Sequence, residues 1–230
     1  MVTAQIEASS YAEIVRQPLN ARQCALLVID IQEKLLPPIY EKERLVRNSQ
    51  LLIRLANILS LPVIATTQYA NGLGKIVPEI ASLLIHRYRD ERLPKGPRSA
   101  SESLDADTVS GSVSSETTHY QPLDKLEFGC FGNGEFCSRV ARLSGRNTLL
   151  LCGMETHICV LQTALGALNQ GHIVHVAADA VSSRTELNWK LGLERMRDAG
   201  AVISSTEMMI YELLGKSGSP EFKEMLKHLK

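Results

Sequence analysis

The sequence predicts a single-domain, three-layer α/β/α fold around a central, mostly parallel sheet. Three observations predict it. Short continuous apolar runs recur along the chain, the form taken by strands covered on both faces. Segments with apolar residues at helical spacing lie between them. The 230 residues, 44% of them apolar, suit one domain with a sizeable core. Strands alternating with helices close into a parallel sheet through right-handed crossovers.

In chain order, residues 1–20 read as an N-terminal extension and 21–215 as the domain. The first strand is Cys24–Ile29 (CALLVI). A helix follows Tyr40, because Leu45, Leu52, Leu55, Ala56 and Leu59 fall on one face. The second strand is Pro62–Ala65 (PVIA). The stretch from Pro94 to Thr118 has seven serines and no aromatic residue. It is too polar to join a core, so about 86–119 reads as an inserted surface loop. A plain disordered insertion and a mobile lid or partner-binding arm both stay open for it. A short strand at Pro122–Asp124 follows, then Thr148–Cys152 (TLLLC). Val160, Ala164, Ala167 and Leu168 share a helical face that stops before Gly171. Ile173–Ala177 (IVHVA) is a strand, Leu187–Ala199 a helix ended by Gly200, and Ala201–Ile203 a last strand. The C-terminal segment 216–230 holds a short amphipathic helix from Pro220, with Phe222, Met225 and Leu229 on one face. That face either covers the fold's own surface or supports an oligomer interface.

Composition narrows the function classes. Lys+Arg and Asp+Glu balance at 25 each, which gives no general pull towards nucleic acid or anionic lipid. No apolar run approaches the length of a membrane span. The expected partner is a small-molecule substrate, with neither nucleic acid nor membrane. The five cysteines are odd in number and lack a CxxC pair. They make a poor disulfide framework and a poor zinc site, which favours a reducing compartment. Residues 1–20 lack a basic region followed by an apolar one, and carry Glu7, Glu13 and the single arginine Arg16. A secretory signal and a mitochondrial presequence are both disfavoured, and a cytoplasmic location is expected.

In an open parallel sheet, ligands collect outside the carboxyl ends of the strands. Asp30 directly follows the first strand. It either faces that crevice or caps the next segment. Cys159, in LLLCGMETHICVLQTA, stands where a strand gives way to a helix. The macrodipole there would stabilise a thiolate and lower its pKa, and unpaired N–H groups would hold an oxyanion. The plainer reading is a small buried hydrophobe. That plainer reading holds for Cys24 and Cys152, inside apolar strands, and is favoured for Cys130 and Cys137. Lys125, in PLDKLEFGCFGNGEF, either sits near the acid and thiol, keeping both anionic, or is a solvated surface lysine. Gln32 is a candidate donor to a substrate oxygen. Tyr69, Phe131 and His157 are candidate pocket residues, with core packing equally open for the two aromatics. His172 and His175, three apart on a strand, point to opposite faces. His86 and His119 flank the polar loop with no carboxylate partner pattern. No metal and no cofactor is expected. GCFGNG is not a dinucleotide fingerprint, and no P-loop is present.

Three blocks taken together resemble the isochorismatase-like cysteine hydrolase superfamily. ALLVIDIQEKL resembles its opening strand and acid, and GMETHICVLQTA its nucleophile block. KLEFGCF resembles its lysine block, with Gly129 in place of the usual serine. AADAVSSRTELNWKLGLERMRDAG is similar to the isochorismatase domain-containing subgroup. The resemblance covers about Ala21 to Leu214. It implies the isochorismatase-like fold and a triad of Cys159 as nucleophile, Asp30 as proton acceptor and Lys125 as their cationic partner. It implies a cis peptide at Met154–Glu155, aiming the Glu155 N–H beside the Cys159 N–H as an oxyanion hole. Members that cleave isochorismate's vinyl ether lack the cysteine, so Cys159 points away from that chemistry. Nicotinamidase-like members hold a metal through Asp and His after the second strand. TTQYANGLGKIVPEI has neither residue, which points away from nicotinamide. The reaction implied is hydrolysis of a small amide or related acyl compound by a homo-oligomer, a dimer or tetramer. The competing expectations are a non-catalytic binding protein on the same fold and, less well supported, a redox thiol enzyme.

Overall fold

A computed structural model of the chain describes residues 16–84 and 120–229, together with Glu13. Most of the N-terminal extension and the whole inserted loop, with His86 and His119, lie outside the described residues.

Six strands form one sheet in the order β3-β2-β1-β4-β5-β6. They are β1 (Cys24–Ile29), β2 (Val63–Gln68), β3 (Leu123–Lys125), β4 (Thr148–Met154), β5 (Ile173–Ser182) and β6 (Val202–Ser204). Every neighbouring pair is parallel. β1 and β4 are buried along their whole length. They run in register from Cys24 against Thr148 to Ile29 against Gly153.

Strand periodicity divides the core. Cys24, Leu26 and Val28 face one cluster and Ala25, Leu27 and Ile29 the other. The first cluster is closed by α1 (Lys42–Leu59), α3 (Pro78–Ala81), α7 (Thr206–Leu214) and α8 (Pro220–Leu226). The second is closed by α4 (Gly134–Ala141), α5 (Leu161–Asn169) and α6 (Glu186–Asp198). A short α2 (Ala70–Leu73) follows β2. The arrangement is the expected three-layer α/β/α fold, and its sheet is parallel throughout.

The differences from expectation lie at polar ends. β2 begins one residue late and runs on through Thr66, Thr67 and Gln68, because these pair with Leu123, Asp124 and Lys125 of β3. β5 continues to Ser182 past a register shift opposite Leu151 and Gly153. Four helices went unpredicted, the four-residue α2 and α3 and the longer α4 and α7. The starts of α4 and α7 are side-chain caps: Asn133 Oδ1 accepts from the N–H groups of Glu135 and Phe136, and Ser205 Oγ from that of Met208. On α8, Met225 is buried, and Phe222 and Leu229 pack against the first cluster. That places the face on the fold's own surface.

Chain order reverses between β1 and β4, so the crevice for a ligand opens at their carboxyl ends. Gly153 makes that junction possible. Its φ is +123°, and a Cβ there would lie 2.0 Å from the Ile29 carbonyl oxygen.

Candidate active site

Three carboxyl ends meet at this junction. Asp30 follows β1 with a φ of 52° and is fully buried. Lys125 is the last residue of β3, and its side chain is fully buried as well. Its Nζ donates to Asp30 Oδ2 at 2.7 Å. Two further donations, to Gln68 Oε1 at 2.7 Å and the Phe128 carbonyl at 3.3 Å, use all three ammonium hydrogens. Thr66 Oγ1 donates to the other carboxylate oxygen, Oδ1, at 2.7 Å. Both oxygens of Asp30 are therefore oriented from β2 and β3.

Cys159 comes from the far side of the junction. After β4 the Met154–Glu155 peptide bond is cis. A single π-helical turn, Thr156–Val160, then leads into α5. The Glu155 carbonyl accepts from the N–H groups of Ile158 and Val160. Cys159 is 6% exposed, and its Sγ donates towards Gln68 Oε1 at 4.0 Å. Asp30, Lys125 and Cys159 are thus brought together.

Their electrostatics correct one expectation. Burial pushes the Cys159 thiol up, the Asp30 carboxylate beside it pushes it further, and Lys125 only partly opposes them. That direction is opposite to the lowered pKa expected at a helix start. Burial also acts to lower Lys125, but Asp30, then Cys159, outweigh it and leave the ammonium above the ordinary lysine range. Cys130 stands close by, its thiol pushed up to about 11 by burial.

The remaining candidates are placed differently. Gln32 is buried, but both its amide hydrogens go to backbone carbonyls, of Gln68 at 3.1 Å and Gly74 at 2.7 Å. Its Oε1 accepts from the Gln68 N–H at 2.7 Å. No hydrogen is left for a substrate oxygen, so donation from Gln32 is corrected to a structural role: it fixes Gln68. Tyr69 is 51% exposed and begins α2. Phe131 packs edge-on against Phe136 and tilted against His172. It lines a cavity of about 440 Å³ together with Phe128, Gln162 and Asn169. His157 bonds through Nδ1 to Ser183 Oγ at 2.9 Å. Burial, and then Arg184, hold its pKa below the usual histidine value against the pull of Glu155.

Gln68 and Thr66 escaped the sequence reading. The available signal was their position, a polar TTQ run closing an apolar strand beside β1. Among the described residues no group of three or more His, Cys, Asp or Glu is arranged to hold a metal. No helix among them is long and apolar enough to cross a membrane.

The isochorismatase domain profile matches residues 24–208. The chain belongs to the isochorismatase family. This isochorismatase-family chain is 34% identical over 205 residues to the secreted isochorismatase effector Isc1 of Phytophthora sojae, covering 89% of the chain and 83% of that protein. It is 33% identical to isochorismatase domain-containing protein 2 of Rattus norvegicus, over 89% and 80% of the two. Among solved structures it resembles the MAR1 ribonuclease of Caenorhabditis elegans, with a TM-score of 0.73 and 30% identity over 92% of each chain.

Proposed function

We propose that this isochorismatase-family protein is a cysteine-dependent hydrolase of a small amide or related acyl compound. The observation that carries the reading is one buried cluster holding a thiol, a carboxylate and an ammonium. The thiol proton passes to Asp30 as Sγ attacks the substrate carbonyl carbon. The N–H groups of Glu155 and Cys159 receive the oxyanion, and one such donor contributes roughly 3 kcal/mol to lowering the barrier. Asp30 returns the proton to the departing nitrogen, and ammonia or amine leaves. Asp30 then takes a proton from water, whose oxygen cleaves the thioester, and returns that proton to the departing sulfur, which releases the acid and restores the thiol. Lys125 keeps Asp30 charged and aimed.

The zero net charge and the buried cluster favour a small compound over a polymer, although one solved relative is named a ribonuclease. All five cysteines are free, which supports a reducing, cytoplasmic setting. Large apolar side chains exposed after β2 and β3, namely Tyr69, Leu126 and Phe128, support a homo-oligomer. A monomer by light scattering would count against that part.

The direct test is a screen of small amides for ammonia release by the native protein and by Cys159→Ala. Release that depends on Cys159 is expected; equal release by both forms for every amide hydrolysed removes the mechanism. The second reading, a non-catalytic binding protein, draws on the near-closure of Cys159. Acylation separates the two. Cys159 acylated by 4-nitrophenyl acetate no faster than the other four thiols near pH 7 favours the binding role.

A further inference from the structure

We infer that Glu155, held by Arg184, is a positioning residue for the acyl-transfer step and not for the thiol; this rests on the hydrolase reading above. Glu155 Oε2 accepts from the Arg184 backbone N–H at 3.1 Å and from Arg184 Nε at 3.0 Å. Two residues further on, the His157 N–H donates to Ser183 Oγ at 3.4 Å, and His157 Nδ1 meets the same oxygen. The turn that carries Cys159 therefore hangs at two points from the segment after β5. That segment is tied in turn to the loop after β1, where the Tyr40 N–H donates to the Ser183 carbonyl at 2.9 Å.

The two ends of the turn are supported differently. Cys159 is placed by the junction itself, against Gln68 and Asp30. Glu155 is placed by its own carboxylate. Its side chain is 11% exposed while that of Arg184 is 56% exposed, so the anchor reaches from the surface to a nearly buried acid. Fixing that side chain fixes the backbone at residue 155, which contributes one oxyanion donor and whose carbonyl closes the π turn. Loss of the anchor should leave thiol reactivity intact and weaken the reception of a developing oxyanion.

Two reagents that attack the same sulfur separate these effects. With 4-nitrophenyl acetate, Sγ bonds to the carbonyl carbon, the thiol proton goes to Asp30, and the C–O bond breaks to release 4-nitrophenolate by way of an oxyanion. With iodoacetamide, Sγ bonds to the methylene carbon, iodide leaves and the proton goes to Asp30, with no oxyanion formed. Glu155→Ala is expected to slow acylation of Cys159 about tenfold or more, while its alkylation, followed by peptide mass spectrometry, changes by less than about twofold. Arg184→Ala, altered at a half-exposed position, should show the same selectivity with a smaller loss, since the backbone N–H still holds Oε2. Glu155→Gln keeps an acceptor oxygen and should retain most of the acylation rate. Parallel loss of acylation and alkylation in Glu155→Ala and Arg184→Ala, or loss of neither, overturns the inference. A Cys159→Ala control tells its failure from failure of the hydrolase reading. If the native protein acylates no faster than Cys159→Ala, the hydrolase reading falls and takes this inference with it. If Cys159 is acylated but Glu155→Ala matches the native rate, only this inference falls.

Discussion

Cys152 and Cys159 lie on the same strand-to-helix segment, and both are buried, yet their surroundings differ in kind. Cys152 sits inside β4 in an apolar cluster, with its Sγ against the Leu27 carbonyl at 3.6 Å. Burial pushes its thiol up to about 12. Cys159, seven residues on, also carries a raised pKa, but next to a carboxylate, an ammonium and an amide oxygen. Burial makes both sulfurs reluctant to ionise. Only one of them has somewhere to send its proton. On the proposed mechanism, reactivity in this fold follows the neighbours of a thiol more than its exposure.

The sharpest break of that comparison is a pair of substitutions. Cys159→Ala should lower Cys159-dependent hydrolysis by about 10³-fold or more, and Cys152→Ala should leave the rate within about twofold. Equal losses in steady-state assays would mean that the contrast between the two sites is not a functional one.

Next in size is a stability effect. Lys125→Met strands Asp30 as a buried charge, and the expected cost is about 3–5 kcal/mol by urea unfolding. Adding Asp30→Asn should recover most of that loss, since no lone charge then remains. A double variant as unstable as the single one would show that the cluster does not act as an ion pair.

The smallest effect belongs to Cys152. Cys152→Ala should cost about 1–2 kcal/mol at pH 7 through lost packing. Its pH dependence follows from the raised pKa. The unfolded thiol ionises near 9.0 and the folded one at about 12. The thiol's contribution is complete below pH 9 and is lost as the pH rises through 12. The gap between the native protein and Cys152→Ala should therefore narrow across that window in paired denaturation curves. A gap that stays constant would place Cys152 in a wetter setting than its neighbours suggest.

Legibility followed the same divide between apolar and polar surroundings. β1 was readable to the residue because CALLVI is buried on both faces and its hydrophobicity is continuous. The far ends of β2 and β5 were not. Thr66, Thr67, Gln68 and the stretch up to Ser182 are strand only because a neighbouring strand pairs with them. α4 and α7 were missed although Asn133 and Ser205 are ordinary caps; at 8 and 9 residues each offers only about two turns of pattern. At the candidate site, Asp30, Lys125 and Cys159 were named from three separate blocks. Gln68 and Thr66, which orient Lys125 and Asp30, were not, because the polar run closing β2 does not say which side chains it will meet. Gln32 looked like a donor to substrate until both its hydrogens were found on backbone carbonyls.

By itself, the sequence determined the alternating strands and helices, their layered packing and the three residue types of the candidate site. Those follow from local hydrophobic periodicity and from where each strand stops. Only the tertiary structure decided that strand order reverses between β1 and β4, that Lys125 reaches Asp30 across β2, and that burial and Asp30 push the Cys159 thiol up. These depend on distances between segments, some of them more than a hundred residues apart in the chain, and on how much water their meeting excludes.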